Sequence, residues 1–258
     1  MTVGGRTFSN STFIMAILNL TPDSFFKDSR ATADDILFRV EQAVKDGASI
    51  IDLGGQSTRP GYEEVPCKEE MTRLCRPVRE IKRRFAVPVS VDTYFPECAK
   101  AVLDEGADMI NDIWGLTRKG MAETVAAYGA SVCIMHNSTD RLTGDIFPQI
   151  TGFLQRASEV ALKAGIDGDK ICVDGGIGFA KDAVQCRELL EGYEKLSAVG
   201  YPLLLGASRK SMFGGRAEDR LPATLESTRL AVRKGVLFVR VHDVKENALV
   251  IKEELGKL

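Results

Sequence analysis

The 258-residue chain contains one tryptophan, two histidines and no Cys-x-x-Cys pair. With so little histidine, and with the six cysteines scattered at Cys67, Cys75, Cys98, Cys133, Cys172 and Cys186, no metal-ligand spacing or disulfide framework can be read. Cys133 and Cys172 fall inside apolar runs, as buried free thiols do, and a reducing cytoplasmic compartment is expected. No apolar stretch approaches the roughly 18–20 residues of a spanning helix, and the polar start from Met1 to Ser11 does not read as an export signal. A basic excess is also missing. Thirty-four Lys and Arg against 36 Asp and Glu give a net charge of −2, which argues against a nucleic-acid partner or an anionic membrane surface. No Pro/Gly/Ser-rich linker divides the chain, so residues 1–258 are expected to form a single domain. There is no Ser–His–Asp or Cys–His relay.

What the chain does have is alternation. Short β-branched runs at Phe13–Leu18, Ser49–Leu53, Val87–Val91, Asp108–Ile113, Ala130–Met135, Lys170–Val173, Pro202–Ala207 and Val236–Val241 are apolar almost throughout, as strands buried on both faces must be. Between them lie amphipathic stretches, including Ala33–Lys45, Lys68–Arg84, Pro96–Glu105, Ile150–Ala164, Ala183–Val199 and Pro222–Lys234, with Lys245–Leu255 last. Six of the strands are preceded by a glycine that can take the left-handed helix-stop position: Gly47, Gly106, Gly129, Gly165, Gly200 and Gly235. Eight strand–helix units in about 250 residues predict an α/β fold, a (β/α)₈ TIM barrel, in preference to a doubly wound sheet.

Active sites in such barrels sit where the strands end. Every predicted strand delivers polar side chains to that rim: Asn19; Asp52 with Gly54-Gly55-Gln56-Ser57-Thr58-Arg59-Pro60-Gly61; Asp92-Thr93; Asn111-Asp112; His136-Asn137; Asp174-Gly175-Gly176; Ser208-Arg209-Lys210; and Arg240, His242 and Asp243. Arg240 and His242 are two apart and share a strand face, so with Ser208, Arg209 and Lys210 they predict a cationic pocket suited to phosphate. Asp52, Asp92 and Asp174 come from separate strands and are spread around the mouth. Each offers a pair of acceptors for an amino-pyrimidinone edge, and Asn111 adds a donor and an acceptor. Trp114 and Phe179 are either core or stacking aromatics, His136 is either structural or a ligand, and Lys82-Arg83-Arg84 reads as a solvated helix end.

Together these segments resemble the dihydropteroate synthases over nearly the whole chain. The segments that carry the resemblance are Met15–Phe25, Asp52–Gly61, Ser90–Thr93, Ile110–Ile113, Met135-His136, Asp174–Phe179, Gly206–Lys210 and Arg240–Val244. The resemblance implies condensation of 6-hydroxymethyl-7,8-dihydropterin diphosphate with p-aminobenzoate in folate synthesis, with Mg2+ as cofactor, Asn19 as its ligand, and a homodimer as a plausible assembly. It further implies that Asp92, Asn111, Asp174 and Lys210 grip the pterin. Asn19, Arg240 and His242 would hold the diphosphate with Arg59 nearby, and Thr58, Pro60 and Ser208 would border the p-aminobenzoate slot. Asp92, Lys210, Arg240 and His242 are the candidate catalytic residues; Asp52 and Arg209 complete the binding set. Sulfonamides would be expected inhibitors. Departures from the family pattern are Gly175 in place of the usual proline, Ala180 in place of a glycine, and Lys27-Asp28 where an acidic residue is shifted by one. A pterin-dependent methyltransferase acting on a corrinoid is the alternative enzyme; it would keep the pterin socket without needing the anion pocket. A non-catalytic pterin-binding scaffold would be expected to have lost rim ligands.

Overall fold

Strands this apolar leave no face for water, and they satisfy their edges by closing on one another. In the computed structural model, which describes residues 1–20, 31–56 and 64–257, eight parallel strands form a closed barrel. They are β3 (Phe13–Asn19), β4 (Ala48–Gly54), β5 (Val89–Asp92), β6 (Met109–Asp112), β7 (Ser131–Met135), β8 (Ile171–Asp174), β9 (Leu203–Leu205) and β10 (Phe238–Val241), with β10 pairing back onto β3. Lys27, Asp28, Thr58, Arg59 and Pro60 lie outside the described residues. The helices packed around the barrel are α1 (Ala31–Lys45), α2 (Cys67–Arg84), α3 (Pro96–Asp104), α4 (Met121–Ala127), α5 (Ile146–Ala164), α6 (Ala183–Glu191), α7 (Leu221–Arg233) and α8 (Val244–Leu255). None of the described helices is long and apolar enough to cross a membrane. All six helix-stop glycines have positive φ, from 58° to 110°, as the short turns required.

Three local differences from the sequence reading have identifiable causes. Helix α5 starts at Ile146, four residues before the expected Ile150, because the Asp145 carboxylate caps it by accepting from the Phe147 amide at 3.1 Å. The stretch Ala183–Val199 breaks at Gly192, where a Cβ would lie 2.5 Å from the Phe147 ring, and it continues as the 3₁₀ turn Tyr193–Val199. Helix α4 has only seven residues, too few for its apolar period to stand out.

A further element escaped the sequence reading. The N-terminus forms a two-stranded hairpin, β1 (Thr2–Val3) with β2 (Arg6–Thr7), that brings Val3 and Phe8 against the barrel floor. Phe8 meets Phe13 and Phe238 edge-on, with ring centroids 5.0 and 5.2 Å away. The floor is a layer of inward side chains: Met15, Ile50, Met109, Cys133, Cys172, Leu204 and Phe238. Side chains alternate along a strand, so the residue two positions further on enters the same interior one level higher. From Ile50, Met109, Cys172 and Phe238 that step reaches Asp52, Asn111, Asp174 and Arg240. Floor and mouth are thus consecutive layers of one interior.

Phe8 seals the end opposite the mouth. Phe8→Ala should therefore cost about 3–5 kcal/mol, as buried aromatic truncations do, and leave substrate KM values unchanged. Urea unfolding alongside steady-state kinetics checks both; a KM change would mean that the floor and the mouth are coupled.

Candidate active site

The centre of the mouth is a three-residue ion cluster. Arg240 of β10 donates through Nε to Asp52 Oδ2 at 2.6 Å and through Nη2 to Asp92 Oδ2 at 2.8 Å. Asp52 is fully buried and Asp92 nearly so. Although burial opposes its charge, Asp52 and Asp92 hold the Arg240 guanidinium above its ordinary range. The second oxygens, Asp52 Oδ1 and Asp92 Oδ1, are buried with no hydrogen-bond partner among the described residues. Buried acceptors left open are costly and uncommon away from ligand sites.

Asn111 lies directly across from Asp92 in the strand register and is also buried. Asp174 closes the other side, its Oδ1 accepting from the Gly176 amide at 2.7 Å. Burial pushes Asp174 up, and the Gly176 amide and Tyr193 hydroxyl partly offset it. Gly176 is required here: with φ +69°, an added Cβ would sit 2.0 Å from the His136 carbonyl oxygen, a backbone atom that cannot yield. Lys210 crosses the mouth with Nζ 4.4 Å from the centre of the Phe179 ring. Burial, then the neighbouring Arg240, lowers its ammonium to about 8. Phe179 therefore supports a cation, and Trp114 packs against the core.

The expected cationic pocket divides in two. Arg240 turns to the carboxylates at the centre. Arg209 has φ +54° and is tied to Asp243, its Nε donating at 2.9 Å, while its carbonyl accepts from Arg220. Asp243 thus takes two of the N–H groups of Arg209, which the sequence reading places in the binding set. Ser208 and His242 do meet, with Ser208 Oγ 2.9 Å from His242 Nδ1. Asn19 ends β3 beside Gly54, where a Cβ would lie 3.1 Å from its Oδ1. The missing side chain keeps open the space between Asn19 and Asp92.

His136 takes the structural alternative. It is buried edge-on to Phe153, its Nδ1 is 3.0 Å from Lys181 Nζ, and burial with the Lys181 charge lowers it to about 3. Lys181 also donates to the Gly176 and Phe179 carbonyls. Sequence reasoning missed Glu70. It shares a buried face of α2 with Leu74, Val78 and Ile81, and accepts from Gln56 at 3.0 Å and from Thr93 Oγ1 at 2.7 Å. A carboxylate on an apolar helical stripe was the available signal. Gln56 Oε1 in turn accepts from the Val65 amide, so Glu70 braces the segment beside Asp92.

A family model described as pterin binding enzyme matches residues 15–242. A dihydropteroate synthase of Clostridium beijerinckii is 40% identical over 98% of this chain and 97% of its own length. This chain belongs to the dihydropteroate synthase family. Solved members superimpose closely. The Clostridium difficile dihydropteroate synthase, determined in the presence of pteroic acid, has a TM-score of 0.93 at 40% identity, covering 97% of this chain and 98% of that one. The Yersinia pestis dihydropteroate synthase, determined with a sulfonamide drug, has a TM-score of 0.93 at 33% identity, covering 100% and 98%. Both the barrel and the family expected from the sequence therefore stand.

The electrostatics of this dihydropteroate synthase fold carry a pH signature. Burial raises Asp92 to about 7; Arg240 opposes the shift, and Asp52 and Glu70 reinforce it. A carboxyl whose folded value exceeds its unfolded one contributes fully below the ordinary aspartate range, at about 4, and loses that contribution as pH rises through the folded value. Relative to wild type, Asp92→Asn should gain stability as pH rises from about 4 to about 7. Urea unfolding at a series of pH values measures the difference; a constant gap would mean that Asp92 is ionised throughout.

Proposed function

We propose that this chain, acting as a single domain in the cytoplasm, condenses 6-hydroxymethyl-7,8-dihydropterin diphosphate with p-aminobenzoate to give dihydropteroate and pyrophosphate in folate biosynthesis. The observation that carries the site reading is the pair of unpartnered buried oxygens, Asp52 Oδ1 and Asp92 Oδ1, in the same layer as Asn111 and Asp174. A flat ring with several N–H donors on its edge is the complement of such a socket. Lys210, lying across the mouth, grips the same ring.

The reaction breaks the bond between the pterin methylene carbon and the diphosphate oxygen, and the electron pair leaves with pyrophosphate. Asp92 stands where the charge developing on that carbon can be countered from a fixed carboxylate. Arg240 uses two of its five N–H groups on Asp52 and Asp92, which orients the rest of the fork toward the diphosphate. His242, poised by Ser208, takes the same leaving group from the rim. The aryl amine is neutral at pH 7 and needs no general base before it attacks; its proton passes to water afterwards.

Asn19 Oδ1 and the space kept by Gly54 fit a hard cation, because magnesium keeps most of its water and takes one or two protein oxygens beside substrate phosphates. Bound there, Mg2+ would neutralise charge on the diphosphate. Ser208, with Thr58 and Pro60, would border the p-aminobenzoate slot, and Arg59 would approach the diphosphate. A homodimer is the assembly the family suggests. The corrinoid methyltransferase reading loses ground to the 40% identity with a dihydropteroate synthase and to the Ser208–His242 pair, for which it has no use.

Protein, Mg2+, pterin diphosphate and p-aminobenzoate should yield dihydropteroate and pyrophosphate in equal amounts, with sulfonamides competing against p-aminobenzoate. No product from intact protein would overturn the assignment. His242→Ala should weaken diphosphate binding at least tenfold while bare pterin binding changes by less than about threefold, as expected for loss of one charge-assisted contact. Arg240→Ala should impair both, because it strands two buried carboxylates. Equal losses in both variants would show the leaving-group site to be misplaced.

A further inference from the structure

Asp174 does not hold itself in place. Its carboxylate rises from the end of β8, and the residue that reaches it from outside the barrel is Tyr193, the first residue of the 3₁₀ turn that follows α6. Tyr193 is fully buried, with its ring in the main core. The hydroxyl accepts from the Gly175 amide at 3.0 Å and lies 2.9 Å from Asp174 Oδ1 and 2.5 Å from the Leu204 carbonyl oxygen of β9. Leu204 is the register partner of Asp174. One phenol oxygen therefore touches the carboxylate, the loop that follows it and the neighbouring strand.

We infer that Tyr193 is a positioning residue for the pterin-binding carboxylate, fixing Asp174 through its hydroxyl so that Oδ2 is the atom left for the ligand. The inference rests on the reading of Asp174 as part of the pterin socket. Oδ1 is already committed to the Gly176 amide and to the phenol, which sets the rotamer. A phenol has one proton and two lone pairs; here it accepts from one donor, and its single proton is shared between two acceptors. Its oxygen is thus a junction between strand, loop and carboxylate, and these three partners among the described residues lie within the Asp174 segment or beside it on β9. The Gly175 amide depends on it as well: without the hydroxyl, that N–H is buried beside a ring edge with nothing to accept it. Close packing around Gly175, where a Cβ would lie 2.8 Å from Leu196, leaves no room for the loop to find another partner.

Tyr193→Phe removes the oxygen and keeps the ring. Titration with 6-hydroxymethylpterin, followed by ligand fluorescence, should show affinity reduced about tenfold, the scale of a buried donor left unpaired. The KM for pterin diphosphate should rise by the same factor, while the KM for p-aminobenzoate and kcat stay within twofold. Tyr193→Leu, which removes ring and oxygen together, should lower Tm further yet weaken pterin no more than Tyr193→Phe does. If pterin affinity instead follows Tm across the two variants, or if both substrates' KM values rise equally, Tyr193 only fills space and the inference fails. Wild-type protein that binds the pterin but makes no dihydropteroate would overturn the proposed reaction and leave the comparison of affinities intact.

Discussion

The contact on which the mouth of this barrel depends is the fork of Arg240 between Asp52 and Asp92. It joins β10 to β4 and β5 across the interior, and neither carboxylate could remain buried without it. A cation shared between two anions leaves the cluster short of positive charge, and each carboxylate keeps an oxygen unmatched. That deficit is maintained inside a barrel whose next layer down is apolar or thiol apart from Ser90. The rest of the site is arranged around it: Asn111 and Asp174 complete the acceptor ring, Lys210 crosses it, and Asn19 with Gly54 leaves an opening at its edge.

Much of this was legible in the chain because barrel geometry turns sequence position into location. Strand ends named the rim, alternation along each strand named the inward residues, and glycines such as Gly165 and Gly200 marked where helices stop. What sequence could not convey was partnership. Arg240 lies 188 residues from Asp52 and 148 from Asp92, and no local spacing distinguishes that pairing from one with His242. Arg209 made the same point from the other side. It stands next to Lys210 in sequence, but a left-handed backbone turns it onto Asp243.

Glu70 and Tyr193 show a second kind of blindness. Both belong to elements outside the barrel wall, and both reach the site through one intermediate, Thr93 for the first and Asp174 for the second. Their periodicity places them in the core, which is correct, and hides the polar atom each carries into it. The N-terminal hairpin was missed because strands of two residues have no period to detect. Its work is done by Phe8 and Val3, single apolar residues in an otherwise polar segment.

Closure of β10 onto β3 also sets an order of events in time. Asn19, Asp52 and Asp92 emerge from the ribosome well before Arg240, so a nascent chain carries the negative half of the cluster without its counter-charge. Sealing an incomplete barrel around those carboxylates would be electrostatically unfavourable, and such long-range pairing is slow in any case. The last strand therefore completes two things at once, because the guanidinium that answers Asp52 and Asp92 arrives on the same β10 that closes the barrel.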